Sequence, residues 1–403
     1  MKTSKGLEEV LGEDYSGHQV LLQKTIYGLV QAAREWWKKI VRSLKEIGFQ
    51  SCQSDTCLLI RRNTKGTVIL CVYVDDVCCV GDKEAVKIAI KEIEAIYSIK
   101  HVGELHEYVG VTIERRKNGS IIMSQPDTIK KIKKKFGNEL KDIRKAPSPA
   151  GASDVVMRPI SKEEIVDEET QGLYRSGVGM LLWMTKHTRP DIANAVREAS
   201  KVMDGATPAH YKYMLRICKY VVETDFRKLI FKADEKHDEH WHVVSYCDSD
   251  FSGDRDTRKS VSGFLIYFMG CLIAWRSRSQ KSVTLSSTEA EYVACSEAAT
   301  EIIYVRNLLE FCGLKVEYPL MLNIDNIGAI YLAENATSSK RTKHVATRYH
   351  YVRDYIEDGI LKVVFVRTAE NQSDPDTKNL AVEPFLKHIG KYMFDDVEDD
   401  KVA

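Results

Sequence analysis

The order of predicted elements describes a chain that is α+β in its first part and α/β in its last. An antiparallel sheet with helices comes first, then a helical connection, then a mixed five-stranded sheet flanked by helices. Three observations predict it. A β-branched run, Thr67–Val74, is interrupted by Asp75-Asp76 and resumes as Val77–Val80, the pattern of a hairpin with two carboxylates at its tip. The stretch Tyr174–Leu229 has helical period, with Pro190 and Pro208 each at a plausible helix start. After Ala233 the text changes to three strands in sequence followed by strand–helix alternation, which favours a mixed sheet with helices on its faces.

The elements follow in order. An apolar helical run covers Trp36–Ile47, and Glu84–Ile99 repeats apolar residues at Val86, Ile90 and Ile93. Tyr108–Ile113 and Ile121–Met123 flank Asn118-Gly119, a strong turn signal between two strands. Ile129–Phe136 carries Lys130, Lys131, Lys133, Lys134 and Lys135. Lys145–Asp167 has Pro, Gly, Ser and charge without apolar period and reads as a linker. The last part predicts strands at Trp241–Cys247, Ser262–Met269, Cys271–Trp275, Leu320–Ile324 and Ile360–Val366. Helices are predicted at Ser287–Cys312, Asn326–Glu334, His344–Asp358 and Pro384–Tyr392. The resulting division is 1–147, 148–234, 235–395 and an acidic tail at 396–403.

Length and composition bound the function. At about 150 residues per domain, 403 residues predict two or three domains, long enough to hold a core without disulfides. With 44% hydrophobic and 29% charged residues the chain is neither disordered nor collagenous. No apolar run reaches the length of a membrane span, and Met1–Asp14 has no apolar stretch of the kind a secretory signal needs. Ten scattered cysteines without a CxxC pair point to reduced thiols. The net charge of +1 argues, taken alone, against a strongly basic nucleic-acid binder.

Four acids stand at comparable points of the last region: Asp248 at the end of its first strand, Glu291 in the first turns of the long helix, Asp325 at the end of the fourth strand, and Asp374 after the last strand. If the first and fourth strands are parallel neighbours, Asp248 and Asp325 meet at one sheet end, where open sheets place sites. Carboxylates gathered so closely repel unless cations neutralise them, and hard oxygen ligands suit Mg²⁺ or Mn²⁺, two ions about 4 Å apart in phosphodiester chemistry. Each acid is equally compatible with an ordinary surface position at an element end.

The residue text narrows this choice. Cys247-Asp-Ser-Asp-Phe-Ser-Gly-Asp254, Arg258-Lys-Ser-Val-Ser-Gly263 and Leu285-Ser-Ser-Thr-Glu-Ala-Glu-Tyr-Val-Ala294 resemble the ribonuclease H domain of copia-type LTR retrotransposons. Asp325-Asn326, Lys343-His344, Arg348-Tyr-His350 and Asp374 with Thr377-Lys378 fit its later signatures in the same order. The resemblance implies that Asp248, Glu291, Asp325 and Asp374 are the metal-binding catalytic acids, with Asp250 and Glu289 as neighbours, and that Arg258, Lys259 and His344 lie near the nucleic acid. A structural role for His344 is the alternative. Two departures stand out: Ala346 where an acid is usual, and Pro375-Asp376 where Ile-Phe is usual.

Upstream, Tyr73-Val-Asp-Asp76 resembles the reverse transcriptase YxDD box, Tyr27-Gly-Leu-Val-Gln-Ala-Ala-Arg34 the segment holding Gln31 and Arg34 near nucleic acid, and Ser54-Asp-Thr-Cys57 a third box. Tyr174-Arg-Ser-Gly-Val-Gly179 and Thr188-Arg-Pro-Asp-Ile192 match the stretch between the two enzymes. By this resemblance 1–147 is a reverse transcriptase palm fragment without the fingers and the first catalytic aspartate, and 235–395 is ribonuclease H-like. The lysines of 130–135 are either a solvated helix face or phosphate contacts of a thumb, with Lys130 and Lys134 as candidates; Trp36, Trp37 and Trp183 are expected in cores.

The resemblance implies Mg²⁺- or Mn²⁺-dependent cleavage of RNA in RNA/DNA hybrids, two ions, and binding of a nucleic-acid template-primer. The remainder of a retrotransposon Pol is a candidate partner, no membrane is involved, and the location is intracellular, in cytoplasmic virus-like particles and/or the nucleus. DNA polymerisation is expected to be lost in this chain alone, because Asp75-Asp76 lack their partner acid. A rival expectation is a relic or domesticated nucleic-acid-binding module without turnover.

Overall fold

The computed structural model describes residues 21–26, 28–232, 240–335 and 351–396; His344, Ala346 and the tail beyond 396 lie outside the described residues. The chain divides into two compact units, 1–103 and 104–403.

In the first unit, α1 (Ala32–Glu46) and α2 (Lys83–Ile96) bracket a four-stranded antiparallel sheet in the order β1 (Gln50–Ser51), β2 (Leu58–Asn63), β3 (Gly66–Tyr73), β4 (Asp76–Gly81). The apolar stripe of α1, Ile40, Val41 and Leu44, packs with Leu59, Leu70 and Val72 of the sheet and Ala89 and Ile93 of α2. Tyr73 pairs with Asp76, so the hairpin tip is Val74-Asp75 and Asp76 already belongs to β4. Val74 has φ of +50°, a left-handed conformation that a β-branched residue rarely adopts.

The second unit holds two sheets. The antiparallel one has the order β14 (Phe394–Asp395), β8 (Arg227–Phe231), β7 (Ile121–Ser124), β6 (Val111–Arg115), β5 (Glu107–Tyr108). The single strand expected at Tyr108–Ile113 is split, because Val109 and Gly110, both with positive φ, form a tight turn between β5 and β6. The helical period of Tyr174–Leu229 runs into the start of β8, whose half-buried residues show little of the alternation that marks a strand. Helices α3 (Pro126–Phe136), α4 (Glu139–Asp142), α5 (Glu168–His187), α6 (Ala193–Ser200) and α7 (Pro208–Glu223) pack beside this sheet. Pro208 opens α7 at its first turn, behind the Thr207 cap. The expected linker is packed rather than free, since Ala146, Ala150 and Val156 enter the helical core.

The mixed sheet has the order β11 (Cys271–Ser279), β10 (Val261–Phe268), β9 (Val243–Asp250), β12 (Leu320–Ile324), β13 (Leu361–Phe365). β9, β10 and β11 are antiparallel; β9, β12 and β13 are parallel. This is a ribonuclease H-like mixed sheet. β10 is buried almost throughout because both of its faces are covered. Phe264 and Ile266 pack with α8 (Ser287–Phe311), α9 (Ile327–Glu334) and α10 (Val352–Glu357); Leu265 and Tyr267 pack into the core built by α5–α7. The helices of the predicted connection thus close the second face of the mixed sheet, which is why 104–403 forms one compact body. Two short helices lie between β13 and β14, α11 (Asp374–Thr377) and α12 (Val382–Ile389).

Candidate active site

β9 carries Asp248, 2% exposed, directly opposite Gly263 of β10. Parallel pairing sets Asn323 of β12 against Tyr246 of β9, and continuing that register two residues brings Asp325 level with Asp248. The expected meeting of the two strand ends is therefore realised.

The helix acid is selected by how α8 begins. Ser286 caps it by accepting from the Glu289 N–H at 3.1 Å, and Glu289 Oε2 accepts from the Leu285 N–H at 2.7 Å. Glu289 is thereby used in the turn. Glu291, two residues on and 6% exposed, faces β9, where its Oε1 accepts from the Ser249 N–H at 3.1 Å. Its Oε2 is buried without a hydrogen-bond partner. One carboxylate oxygen from each of Asp248, Glu291 and Asp325 lies within 4.8 Å of the other two. Among the described residues no other group of acidic, histidine or cysteine side chains converges in this way.

Asp374 reaches the same place from α11. Its charge acts on Asp248, and its Oδ1 is 2.9 Å from Lys378 Nζ. The Thr377 hydroxyl donates to Asp248 Oδ2. In the sequence Thr377 and Lys378 stand only as part of a family signature. Their spacing from Asp374, three and four residues, is the signal that a helical turn would bring them together.

Burial is the first cause of every shift in this cluster. It pushes the Glu291 carboxyl up to about 9, aided by the charges of Asp248 and Asp325. It pushes Asp248 up to about 6, aided by Asp374 and opposed by Lys378 and Thr377. Asp325 and Asp374 are raised as well, again by burial. Acids this close cannot all ionise without a compensating cation. The donor set suits one: hard carboxylate oxygens from three elements, one of them a buried oxygen with no protein partner.

The other predicted site residues lie elsewhere. Asp75 and Asp76 are exposed at the first unit's hairpin, where the Trp36 indole donates to the Val74 carbonyl at 2.7 Å. Gln31 and Arg34 are exposed at the start of α1. Lys130 pairs with Asp127 at 2.9 Å and Lys134 is exposed. Arg258 is exposed and Lys259 half-buried in the loop after β9; the carboxylate of Asp254 in that loop accepts from the N–H groups of Asp256 and Thr257. The two departures at 375–376 have distinct consequences. Pro375 fits the first turn of α11, whereas Asp376 is 1% exposed and neither of its carboxylate oxygens has a hydrogen-bond partner.

Residues 8–149 match the reverse transcriptase (RNA-dependent DNA polymerase) family. The chain is 31% identical over 385 residues to the retrovirus-related Pol polyprotein from transposon TNT 1-94 of Nicotiana tabacum, covering 92% of this chain and 28% of that one. It is 30% identical over 384 residues to that from transposon RE1 of Arabidopsis thaliana, covering 94% and 25%. The chain thus spans about a quarter of the length of these polyproteins. A solved ribonuclease H1 isolated from compost by a metagenomic approach matches 34% of this chain and 92% of its own, at 15% identity and a TM-score of 0.26, too low to carry the fold, which stands on the strand order. Two polyproteins matched along nearly the whole chain, and a polymerase family matched before the mixed sheet begins, converge on one assignment. The chain belongs to the copia-type retrotransposon Pol family, to the stretch that holds reverse transcriptase and ribonuclease H-like parts.

Proposed function

We infer that the second unit is a metal-dependent endonuclease that cleaves the RNA strand of RNA/DNA hybrids. The observation that carries this is the convergence of Asp248, Glu291 and Asp325 within 4.8 Å around a buried, unpartnered Glu291 oxygen. Asp248, Glu291 and Asp325 would hold a Mg²⁺ or Mn²⁺ ion, and Asp248 with Asp374 a second. Bound there, the cations would neutralise the acids, polarise the scissile phosphate and make water a stronger nucleophile. The chain's own groups arrange the site beforehand. Thr377 fixes one oxygen of Asp248, the Ser249 N–H fixes one oxygen of Glu291, and burial keeps bulk water from screening the cluster.

For the first unit we infer that residues 1–403 alone do not extend a primer. Two-metal polymerisation needs acids from more than one element, and among the described residues no third acid gathers with Asp75 and Asp76.

The test is cleavage of a 5′-labelled RNA strand in an RNA/DNA hybrid with Mg²⁺, beside duplex DNA of the same sequence. Hybrid cleavage by the native chain, absent in Asp248→Asn, supports the assignment. Equal cleavage by both proteins removes the assigned site, and preference for duplex DNA removes the substrate class. A second reading, a relic without turnover, is favoured by one observation: the buried, unpartnered carboxyl of Asp376 at a position where the family carries an apolar residue. No cleavage of hybrid by native protein with Mg²⁺ or Mn²⁺ would establish it.

A further inference from the structure

Asp374 stands apart from the other three acids. The converging group is Asp248, Glu291 and Asp325, while Asp374 Oδ1, which accepts no hydrogen bond, forms an ion pair with Lys378 Nζ at 2.9 Å. Both partners sit on one helical turn, four residues apart, and Asp374 is only 9% exposed in its side chain, Lys378 37%. The pair has its carboxylate inside the protein and its ammonium at the rim, open to solvent. The charge of Lys378 also acts on Asp248, Asp250 and Asp325. One ammonium therefore serves several buried and half-buried acids at the edge of the cluster.

We propose, building on the nuclease assignment above, that Lys378 is a positioning residue whose ammonium stands in for the second cation, so that the free protein binds one divalent ion and a second enters only when Lys378 leaves Asp374. The physical reason is competition for one carboxylate oxygen. A cation approaching Asp374 meets a like charge at contact distance, and the pair must open before that oxygen becomes a ligand. The arrangement keeps the unloaded cluster from carrying its full negative charge, and it makes the second ion conditional. A phosphate backbone entering the site is a polyanion and offers Lys378 an alternative partner.

The experiment counts bound Mn²⁺ on the full-length protein without nucleic acid, by electron paramagnetic resonance of free Mn²⁺ and by calorimetry. Native protein is expected to bind one ion. Lys378→Met should bind two, with affinity for the second raised at least about tenfold by deletion of a charge at contact distance. Lys378→Arg keeps a cation and should bind one, and Lys378→Met combined with Asp374→Asn should return to one. A melting curve on each variant confirms that it is folded, and Lys378→Gln replaces Lys378→Met if the latter is not. Two ions of similar affinity in native protein, or one ion in native and in Lys378→Met alike, overturns the proposal and leaves the nuclease assignment standing. No ion in any variant overturns the metal site itself.

Discussion

The Ser249 N–H donates to Glu291 Oε1 at 3.1 Å and so ties α8 to β9 one residue beyond Asp248. The bond orients Glu291 and leaves its other oxygen to the cluster. It also explains why the second glutamate of Glu289-Ala-Glu291, and not the first, joins Asp248: residues two apart on a helix face different ways, and Glu289 is taken by the Leu285 N–H.

Metal affinity should rise with pH. Without a cation the Glu291 carboxyl is pushed up to about 9 and that of Asp248 to about 6, so near neutral pH Glu291 holds its proton and metal must displace it. Calorimetry of Mg²⁺ binding in two buffers of different ionisation heat should show proton release at pH 7. Affinity should increase from about pH 6 to about pH 9. Binding that is flat over this window would contradict the burial-driven shifts.

Metal-free protein should lose stability over much the same range. A raised folded pKa means that the neutral carboxyl is what the fold favours. The contribution of Glu291 is complete below its usual value of 4.5 and is lost as pH climbs towards about 9. Thermal melts in a chelator at pH 5 and pH 8.5 measure it. Glu291→Gln should flatten the difference, and a saturating divalent cation should remove it.

Thr377→Val deletes the hydroxyl that donates to Asp248 while keeping the shape of the side chain. The expected cost is about 1–2 kcal/mol in stability. Hybrid cleavage should fall about 10–100-fold, the usual effect of removing a hydrogen bond to a ligating group. Thr377→Ser should restore most of both. A valine variant with native activity would show that Asp248 needs no such support.

Gly263→Ala should be damaging although the glycine lies within a strand. A Cβ there would sit 2.7 Å from the Asp376 Cβ and 2.8 Å from Thr377 Cγ2. The strand and the turn that carries Thr377 would have to separate, at a cost of about 1–3 kcal/mol. Melting temperature and cleavage rate should drop together.

Asp376→Ala is expected to stabilise the protein by about 1–2 kcal/mol at pH 7, since it removes a buried carboxyl with no partner. Burial holds the Asp376 pKa well above the usual 3.8, so its penalty grows as pH rises above that value. The stabilisation should therefore be larger at pH 8 than at pH 5. Equal melting temperatures across that range would place Asp376 outside the buried site described.

Much of this protein was legible in its residues. Local pattern located β12, and it placed β10 and α8 to within a residue or two at either end, because Pro319 precedes β12, Gly270 follows β10, and α8 runs from the capping Ser286 to Gly313. The hairpin at Asp75-Asp76 and the family membership were also readable, since both depend on short local strings. Elements whose existence depends on remote partners were not. β8 is a strand because β7 and β14 flank it, and the stretch after Lys145 is packed because Ala146 and Ala150 find a helical core beside them.

The site divides along the same line. Sequence supplied the identity of four acids and the condition, parallel neighbouring strands, under which two strand ends meet. Only the tertiary structure decided that β9 and β12 lie side by side, that the Ser249 N–H holds Glu291 while the Leu285 N–H holds Glu289, and that Asp374 pairs with Lys378. Burial, proximity and competition among charges are properties of space, not of spacing. A linear string fixes which residues can meet within a turn or a strand, and packing selects which of them meet across the sheet.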